Sequence, residues 1–511
     1  MGKLNWVTKA CSVSLLWAVT AVALPAQTQS ISPRVLTVTF TTLFGFDGTD
    51  GQYPIGALVQ AANGNLYGTT VSGGTNDNEG VGGTVFSITP SGTLTTLYSF
   101  CQEVQGEICT DGSYPQAALV QATNGDFYGT TYSGGGNYNG CVNIDGCGTV
   151  FKISPGGTLA TRNCTDGVYP DAGLVKATDG NFYGTTAGGG AHCHDASGCG
   201  TVFKMTADGT LTTLYSFDGT DGNSPQGMLV QGADGDLYGT TVFGGARHSG
   251  TVFSITAGGT LTTLYNFCSQ GAKCTDGAGP EAGLTQGTDG NFYGTTEFGG
   301  TNGPYGTVFK ITPGGTLTTL HNFCHEFQHG VCTDGAYPEG TLVQATDGNF
   351  YGTTLGSGGS DEGTIFQITP SGTLTTLYEF SPTTTGCGIN CLGEGGLIQD
   401  TNGNFYGVTY GGGSSSACSF GCGTVYSLSV GLGPFVETNP VAGKVGAKIG
   451  ILGTDLTGAT SVTFNGITAT FTVRSSTLII ATVPSRATSG TVQVQLPSGT
   501  LSSNVPFIVL P

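Results

Sequence analysis

Apolar and polar positions alternate along this chain in short runs, and the runs repeat. A unit of roughly 55 residues occurs seven times. Within it, β-branched and aromatic residues fill stretches of strand length, with Gly, Pro, Asn and Asp between them. The Tyr of an (N/D)-G-(N/D)-(F/L)-Y-G tract falls at Tyr67, Tyr128, Tyr183, Tyr238, Tyr293, Tyr351 and Tyr406, at spacings of 61, 55, 55, 55, 58 and 55. A second tract, G-T-(V/I)-(F/Y), begins at Gly83, Gly148, Gly200, Gly250, Gly306, Gly363 and Gly423. A third, G-T-L-T-T-L-Y-x-F, closes most units, as at 92–100 and 209–217.

Each unit reads as four antiparallel strands. In the fifth copy these are 283–286, Phe292–Thr296, 306–312 and 316–323. The Asp-Gly of Thr288-Asp-Gly-Asn291 predicts a type I′ hairpin, in which both central residues take positive φ. The seventh unit ends at Tyr426–Leu428 without a fourth strand, and Phe40-Thr-Thr-Leu-Phe-Gly-Phe46 supplies an orphan one near the N-terminus. A chain that opens with the last strand of its final unit is built to close on itself and hide its edges. The expected fold is all-β: a seven-bladed β-propeller over 33–430, closed by an N-terminal strand, with a C-terminal immunoglobulin-like β-sandwich. A parallel β-helix is the alternative, though its coils are shorter and need no orphan strand.

Composition adds compartment and excludes partners. Lys3 and Lys9, the apolar run 13–24 and small residues to Ala26 read as a signal peptide, 1–26. Its removal takes two lysines and no acid, moving the net charge from −19 to −21. So acidic a chain has no footprint for nucleic acid or anionic lipid. No later segment is apolar and long enough for a helical span. The expectation is an extracellular or cell-surface monomer with no membrane insertion after cleavage.

Fourteen of the fifteen remaining cysteines form local pairs: Cys101/Cys109, Cys141/Cys147, Cys193/Cys199, Cys268/Cys274, Cys324/Cys332, Cys387/Cys391 and Cys418/Cys422. Pairing within one loop of an exported chain predicts disulfides rather than metal ligands. Cys164 is left as a free thiol. Its Cys-Thr-Asp-Gly aligns it with Cys274, in a unit that has lost the end of its outer strand.

The second-to-third loops and the unit-to-unit connections vary in length and carry all the cysteine pairs, whereas the other turns barely change. Both variable classes leave the same end of a four-stranded antiparallel sheet, so one face is diversified and stapled, as in a binding scaffold.

From Pro434 the repeat and the cysteines stop. Pro440-Val-Ala-Gly-Lys-Val-Gly-Ala-Lys-Ile-Gly-Ile-Leu-Gly-Thr454, Ser461-Val-Thr-Phe-Asn-Gly466, Thr477-Leu-Ile-Ile-Ala-Thr-Val-Pro484 and Ser489-Gly-Thr-Val-Gln-Val494 resemble an IPT/TIG domain over 434–511, which implies the sandwich named above. Phe507-Ile-Val-Leu-Pro511 reads as its last strand. The repeats, D-G-N-F-Y-G-T-T…G-T-V-F-K-I-T-P-G-G-T-L-T-T-L-Y-x-F across about 35–430, resemble the GloVer tandem repeat of exported bacterial proteins. That family carries no established catalytic residues, so the resemblance implies none here.

Three motifs could carry chemistry. His325-Glu-Phe-Gln-His329 satisfies H-E-x-x-H, which binds zinc only on a helix and with a third ligand. It lies inside the Cys324–Cys332 loop, and the matching 101–109 loop has no His, so a coincidental match is expected. His192-Cys-His-Asp195 reads as a disulfide loop with surface His. Asp47-Gly-Thr-Asp-Gly51 and Asp218-Gly-Thr-Asp-Gly222, with single Asp-Gly counterparts at Asp111, Asp166, Asp276 and Asp334, are turns that calcium could use. No cofactor is otherwise expected. Tyr53, Tyr114, Tyr132, Tyr138, Tyr169, Tyr305 and Tyr337 lie near the variable face, to stack on sugars or to pack between units. The leading expectation is a non-enzymatic binding or adhesion protein for a glycan or protein. The alternatives are a hydrolase or lyase with its site at the channel mouth, and a purely structural envelope protein.

Overall fold

A computed structural model describes residues 37–510, apart from 78–79, 137–145, 165–166, 192–197, 272, 326, 329–330, 357–362, 381–395 and 420. The 1–26 leader, and within the ranges just named Tyr138, Cys141, Asp166, Cys193, Cys387, Cys391 and His329, lie outside the described residues.

Among the described residues the repeats form seven four-stranded antiparallel sheets in chain order. The fifth unit gives Thr285–Gln286, Phe292–Thr296, Thr307–Ile311 and Leu317–Asn322, against the expected strands. Its first hairpin is not type I′. Gly290 alone takes positive φ, its N–H donates to the Gly287 carbonyl at 2.9 Å, and the Gly287 N–H donates to Asn291 O at 2.8 Å. This is a type I turn followed by a left-handed glycine bulge. The physical reason is the Asp289 side chain, whose Oδ1 accepts from the Asn291 N–H at 3.1 Å and whose Oδ2 accepts from the Tyr293 hydroxyl at 2.9 Å. Those bonds hold Asp289 right-handed.

The T-T and G-T tracts have a shared purpose. The second Thr of T-T and the Thr of G-T face each other, and their hydroxyls meet at 2.8–2.9 Å in all seven sheets, from Thr70/Thr84 to Thr409/Thr424. A buried hydroxyl must find a partner, so one Thr on each strand satisfies the other. The glycine of F-Y-G is a matter of room: a Cβ at Gly239 would lie 2.7 Å from both Leu229 and Phe253.

Successive sheets pack through aromatic contacts. Tyr67, Tyr128, Tyr238 and Tyr293 each stack on a Phe of the following sheet, at centroid separations of 3.9–4.2 Å, and Tyr351 meets Phe405 tilted at 4.2 Å. The seventh sheet packs back on the first, Tyr406 and Val425 joining Leu58, Leu66 and Phe86 in one cluster. Its outer strand is the orphan, Thr39–Gly45, paired antiparallel with Thr424–Ser429. A side-chain clamp also runs round the array. Gln121, Gln231, Gln286, Gln344 and Gln399 each accept, at 2.8–3.1 Å, an N–H from the first hairpin of the preceding sheet. Gln60 does the same for Thr401 at 3.0 Å, closing the series over 341 residues of sequence. At the remaining junction the equivalent residue is Lys176, half-buried, its ammonium pKa lowered by desolvation.

The C-terminal unit packs Glu437–Asn439, Lys448–Leu452, Leu478–Thr482 and Phe471–Val473 against a sheet of Ile467–Thr468, Ser461–Phe464, Val492–Leu496 and Gly499–Ser502. Val436, Ile451, Val462, Ile479, Val494 and Phe507 form its core. It docks on the constant end of the repeats. Thr477 Oγ1 donates to Ala62 O at 3.0 Å, Asn504 Nδ2 to Gln344 O at 2.8 Å, and the Phe435 N–H to Thr401 O at 3.0 Å.

Asp400 lies at this junction, where the other units carry Ala61, Ala122, Ala177, Gly232, Gly287 and Ala345. It is 2% exposed. Its Oδ1 accepts from the Asn402 N–H at 2.8 Å, and its Oδ2 has no partner. Burial pushes its carboxyl up to about 6. Across the junction, burial and the charge of Asp400 also raise Glu437. Although Glu437 is crowded by neighbouring groups, its side chain reaches solvent. Surface exposure is the better guide to hydration, so the main cost falls on Asp400.

Candidate functional site: the loop end of the sheets

The variable loops come together at the end opposite the sandwich. Segments entering a sheet bridge its second-to-third loop at Gln52/Ser72, Ser113/Ser133, Asn223/Phe243, Ala278/Phe298 and Ala336/Gly356. Disulfides Cys101–Cys109, Cys268–Cys274, Cys324–Cys332 and Cys418–Cys422 all lie in these loops. Cys147 and Cys199 are also disulfide-bonded, while Cys141 and Cys193 fall outside the described residues. Val104 (56% exposed), Phe243 (54%) and Phe298 (42%) stand out from the same loops.

Cys164 is free and buried, but its alignment with Cys274 needs correcting. The Cys164 N–H donates to Gly148 O, just as the Phe100, Phe217 and Phe267 N–H groups donate to Gly83, Gly200 and Gly250. The shortened outer strand, Leu159–Asn163, has drawn Cys164 into the slot of the closing Phe. There it packs with Tyr128, Cys147 and Val150, and burial pushes its thiol up to about 12. It is therefore a poor nucleophile in the native state.

The Asp-Gly loops are closed by their own hydrogen bonds. Asp111 Oδ2 accepts from the Tyr98 hydroxyl at 2.8 Å, Asp276 Oδ2 from Tyr265 at 2.8 Å, and Asp334 Oδ2 faces His321 Nε2 at 2.9 Å. The Tyr215 hydroxyl donates to Asp221. Asp47 Oδ1 takes both the N–H (2.9 Å) and the hydroxyl (2.7 Å) of Thr49, and these bonds lower its pKa; Asp218 does the same with Thr220. Asp111, Asp221, Asp276 and Asp334 thus hold loops to outer strands, while Asp47 and Asp218 brace their own turns. Of H-E-x-x-H, Phe327–Gln328 pairs with Val331–Cys332 as a hairpin, while Glu326 and His329, like His192–Asp195, lie outside the described residues.

Tyr53, Tyr114, Tyr169 and Tyr337, each preceding a Pro, all have φ of 56–60°. Tyr53 stacks on Tyr410 and Tyr169 on Tyr132, both at 4.6 Å, so these rings bridge neighbouring sheets. Tyr337 meets Phe298 edge-on at 6.2 Å and Tyr305 at 6.0 Å. Burial, then Tyr305, then Glu297 raises its phenol.

Sequence reasoning missed one constellation. Carboxylate oxygens of Glu281, Glu297 and Glu339 lie within 4.8 Å of one another. Glu281 and Glu339 directly follow the Pro that enters the fifth and sixth sheets, where earlier units carry Ile55, Gln116, Asp171 and Gln226. Glu297 directly follows the second strand of the fifth sheet, where Val71, Ala187 and Val242 stand elsewhere. Aligning those two columns would have shown that acids gather in consecutive units.

No curated protein sequence matches the chain. Among solved structures it is similar to virginiamycin B lyase from Staphylococcus aureus (14% identity, 77% of this chain and 99% of that chain, TM-score 0.48). It is also similar to a luciferin-regenerating enzyme (13%, 62% and 92%, 0.37) and to an auxiliary nutrient-binding protein from Bacteroides thetaiotaomicron (12%, 61% and 68%, 0.36). Identities this low carry no activity across. Residues 435–509 match the IPT/TIG domain. Residues 32–143, 141–331 and 322–470 match the Gloeobacter/Verrucomicrobia repeat, well over half of the sequence, and the chain belongs to that family.

Proposed function

We propose that this is an exported, monomeric, non-enzymatic binding protein, a closed seven-bladed propeller that engages a glycan on its loop face. The observation that carries the reading is an asymmetry of ends. Stapled loops of unequal length present Val104, Phe243 and Phe298 to solvent at one end, and the sandwich covers hairpins at the other. Exposed apolar residues on rigid loops mark an interaction surface. The half-buried rings of Tyr305 and Tyr337 supply flat faces for a sugar. The loop disulfides support export, and no helix among the described residues is long and apolar enough to cross a membrane.

The test is a glycan array probed with the full chain and with a Val104→Ser/Phe243→Ser/Phe298→Ser variant, whose changes are all at the surface. Selective binding lost in the variant supports the reading. Equal binding by the variant moves the site off these loops, and silence across the array replaces the glycan with a protein partner. An enzyme is the second reading, favoured by the Glu281/Glu297/Glu339 convergence, and turnover of any bound glycan would establish it.

A further inference from the structure

We propose that His321 and His325 form a binding site for a transition-metal dication of the copper and zinc class, with Asp334 orienting His321 from behind. The site lies on the loop stapled by Cys324–Cys332. It rests on that loop alone and holds whether or not the loop face binds a glycan.

Three stapled loops share one frame. An outer-strand residue (Tyr98, Tyr265, His321) is followed four places on by Gln102, Ser269 or His325, and each loop ends on an Asp, at 111, 276 or 334. In all three, Oδ2 of that Asp meets the polar side-chain atom of the first residue at 2.8–2.9 Å. The same oxygen accepts the N–H of the second residue at 2.9–3.0 Å. The Cys between the two has positive φ each time, 67° at Cys101, 61° at Cys268 and 59° at Cys324, and this bend turns the second residue back towards the first. In the fourth unit the two side chains touch, Tyr265 hydroxyl to Ser269 Oγ at 2.9 Å. In the fifth unit both places carry an imidazole, and the two ring centroids are 6.4 Å apart.

The Asp decides which nitrogen is on offer. An ionised carboxylate only accepts, so in the neutral His321 ring Nε2 carries the proton towards Asp334 and Nδ1 keeps the lone pair. A carboxylate behind an imidazole is the arrangement that fixes the tautomer of a metal ligand and raises its basicity. His321 is also held in place: its side chain is 15% exposed and its ring meets Phe323 edge-on at 5.1 Å. His325 is exposed and can move to the ion. Metal–nitrogen bonds of about 2.0–2.1 Å in tetrahedral geometry bring two ring centres to about 5 Å, so the exposed ring closes by about 1 Å. Imidazole suits copper, zinc and nickel, whereas calcium and magnesium take oxygen. The pair is distinct from H-E-x-x-H: His325 partners a residue upstream, across a bent loop, with no helix required.

The experiment uses the full chain after chelator treatment, titrated by calorimetry with copper(II), with zinc, and with calcium as the hard-ion control. His321→Tyr/His325→Gln installs the residues of the first loop, which close the same frame on Asp111. The wild-type chain should bind one copper or zinc ion more than this variant, copper the tighter, with no competition from calcium. His325→Gln alone, at an exposed position, should weaken the site at least about tenfold, since even groups that only orient a metal ligand are worth that much. His248→Gln, on another loop of the same end, should leave it unchanged. Binding should weaken on acidification, because protons compete for the imidazole nitrogens. Equal metal-free melting temperatures of the wild type and the double variant separate a lost site from a lost fold; if that variant melts lower, His325→Gln decides. Equal stoichiometry and affinity in the double variant, undiminished binding by His325→Gln, calcium bound as tightly as zinc, or loss of binding in His248→Gln would each overturn the assignment.

Discussion

Asp400→Ala should make this protein more stable at neutral pH, although it deletes a hydrogen-bonded side chain from a buried site. Four of the equivalent positions are Ala61, Ala122, Ala177 and Ala345, so the replacement suits the local backbone. The carboxyl moves from 3.8 to about 6 on folding because it is desolvated. A raised carboxyl means that the folded state binds the proton more tightly. Its contribution is therefore intact below about pH 4 and is lost as pH rises through about 6. A shift of about two units corresponds to about 3 kcal/mol of destabilisation by pH 8. Removing the side chain also forfeits the bond from the Asn402 N–H, worth about 1 kcal/mol. The net gain is about 2 kcal/mol at pH 8, and at pH 4 the variant should be no more stable than wild type. Glu437 adds in the same direction, since its own elevation is partly due to Asp400. Urea unfolding of both proteins at pH 4.5 and pH 8 measures the effect. If the gap between them does not widen with pH, or if the variant is less stable at pH 8, the assignment of an unsolvated charge to Asp400 is wrong.

Two further outcomes follow from the repeat geometry. Thiol titration should find Cys164 inert to alkylation in the native chain and reactive once it is unfolded without reductant; rapid native labelling would contradict its place in the Phe slot. Lys176→Gln should supply the amide that clamps the other six junctions and raise stability by about 1 kcal/mol; an unchanged or lower urea midpoint would show that the clamp carries no net energy.

The architecture was legible because each unit repeats its own punctuation. Strand positions in the fifth copy fall within two residues of those read from alternation, and the orphan segment pairs where its sequence says it should. What escaped lay between units or in side-chain competition. The first hairpin takes a type I turn with a glycine bulge because the Asp289 carboxylate reaches the Asn291 N–H, a bond that the Asp-Gly dipeptide alone does not reveal. Cys164 was paired with the wrong counterpart because a deletion moves its neighbours in space as well as in sequence. Glu281 and Glu339 are distant in sequence, and only sheet-to-sheet packing brings them to Glu297.

The clasp made by Thr39–Gly45 on Thr424–Ser429 has a consequence for how such a chain changes over generations. The segment that duplicates and the sheet that folds are out of phase by one strand. A copied or deleted repeat therefore alters the size of the array by one complete sheet, wherever the cut falls, and leaves the two halves of the clasp at opposite ends to find each other again. Truncation at either terminus behaves differently, because it exposes two bare edges at once. Selection can thus vary the number of units and the loops they carry freely, while the first and last strands must be inherited together.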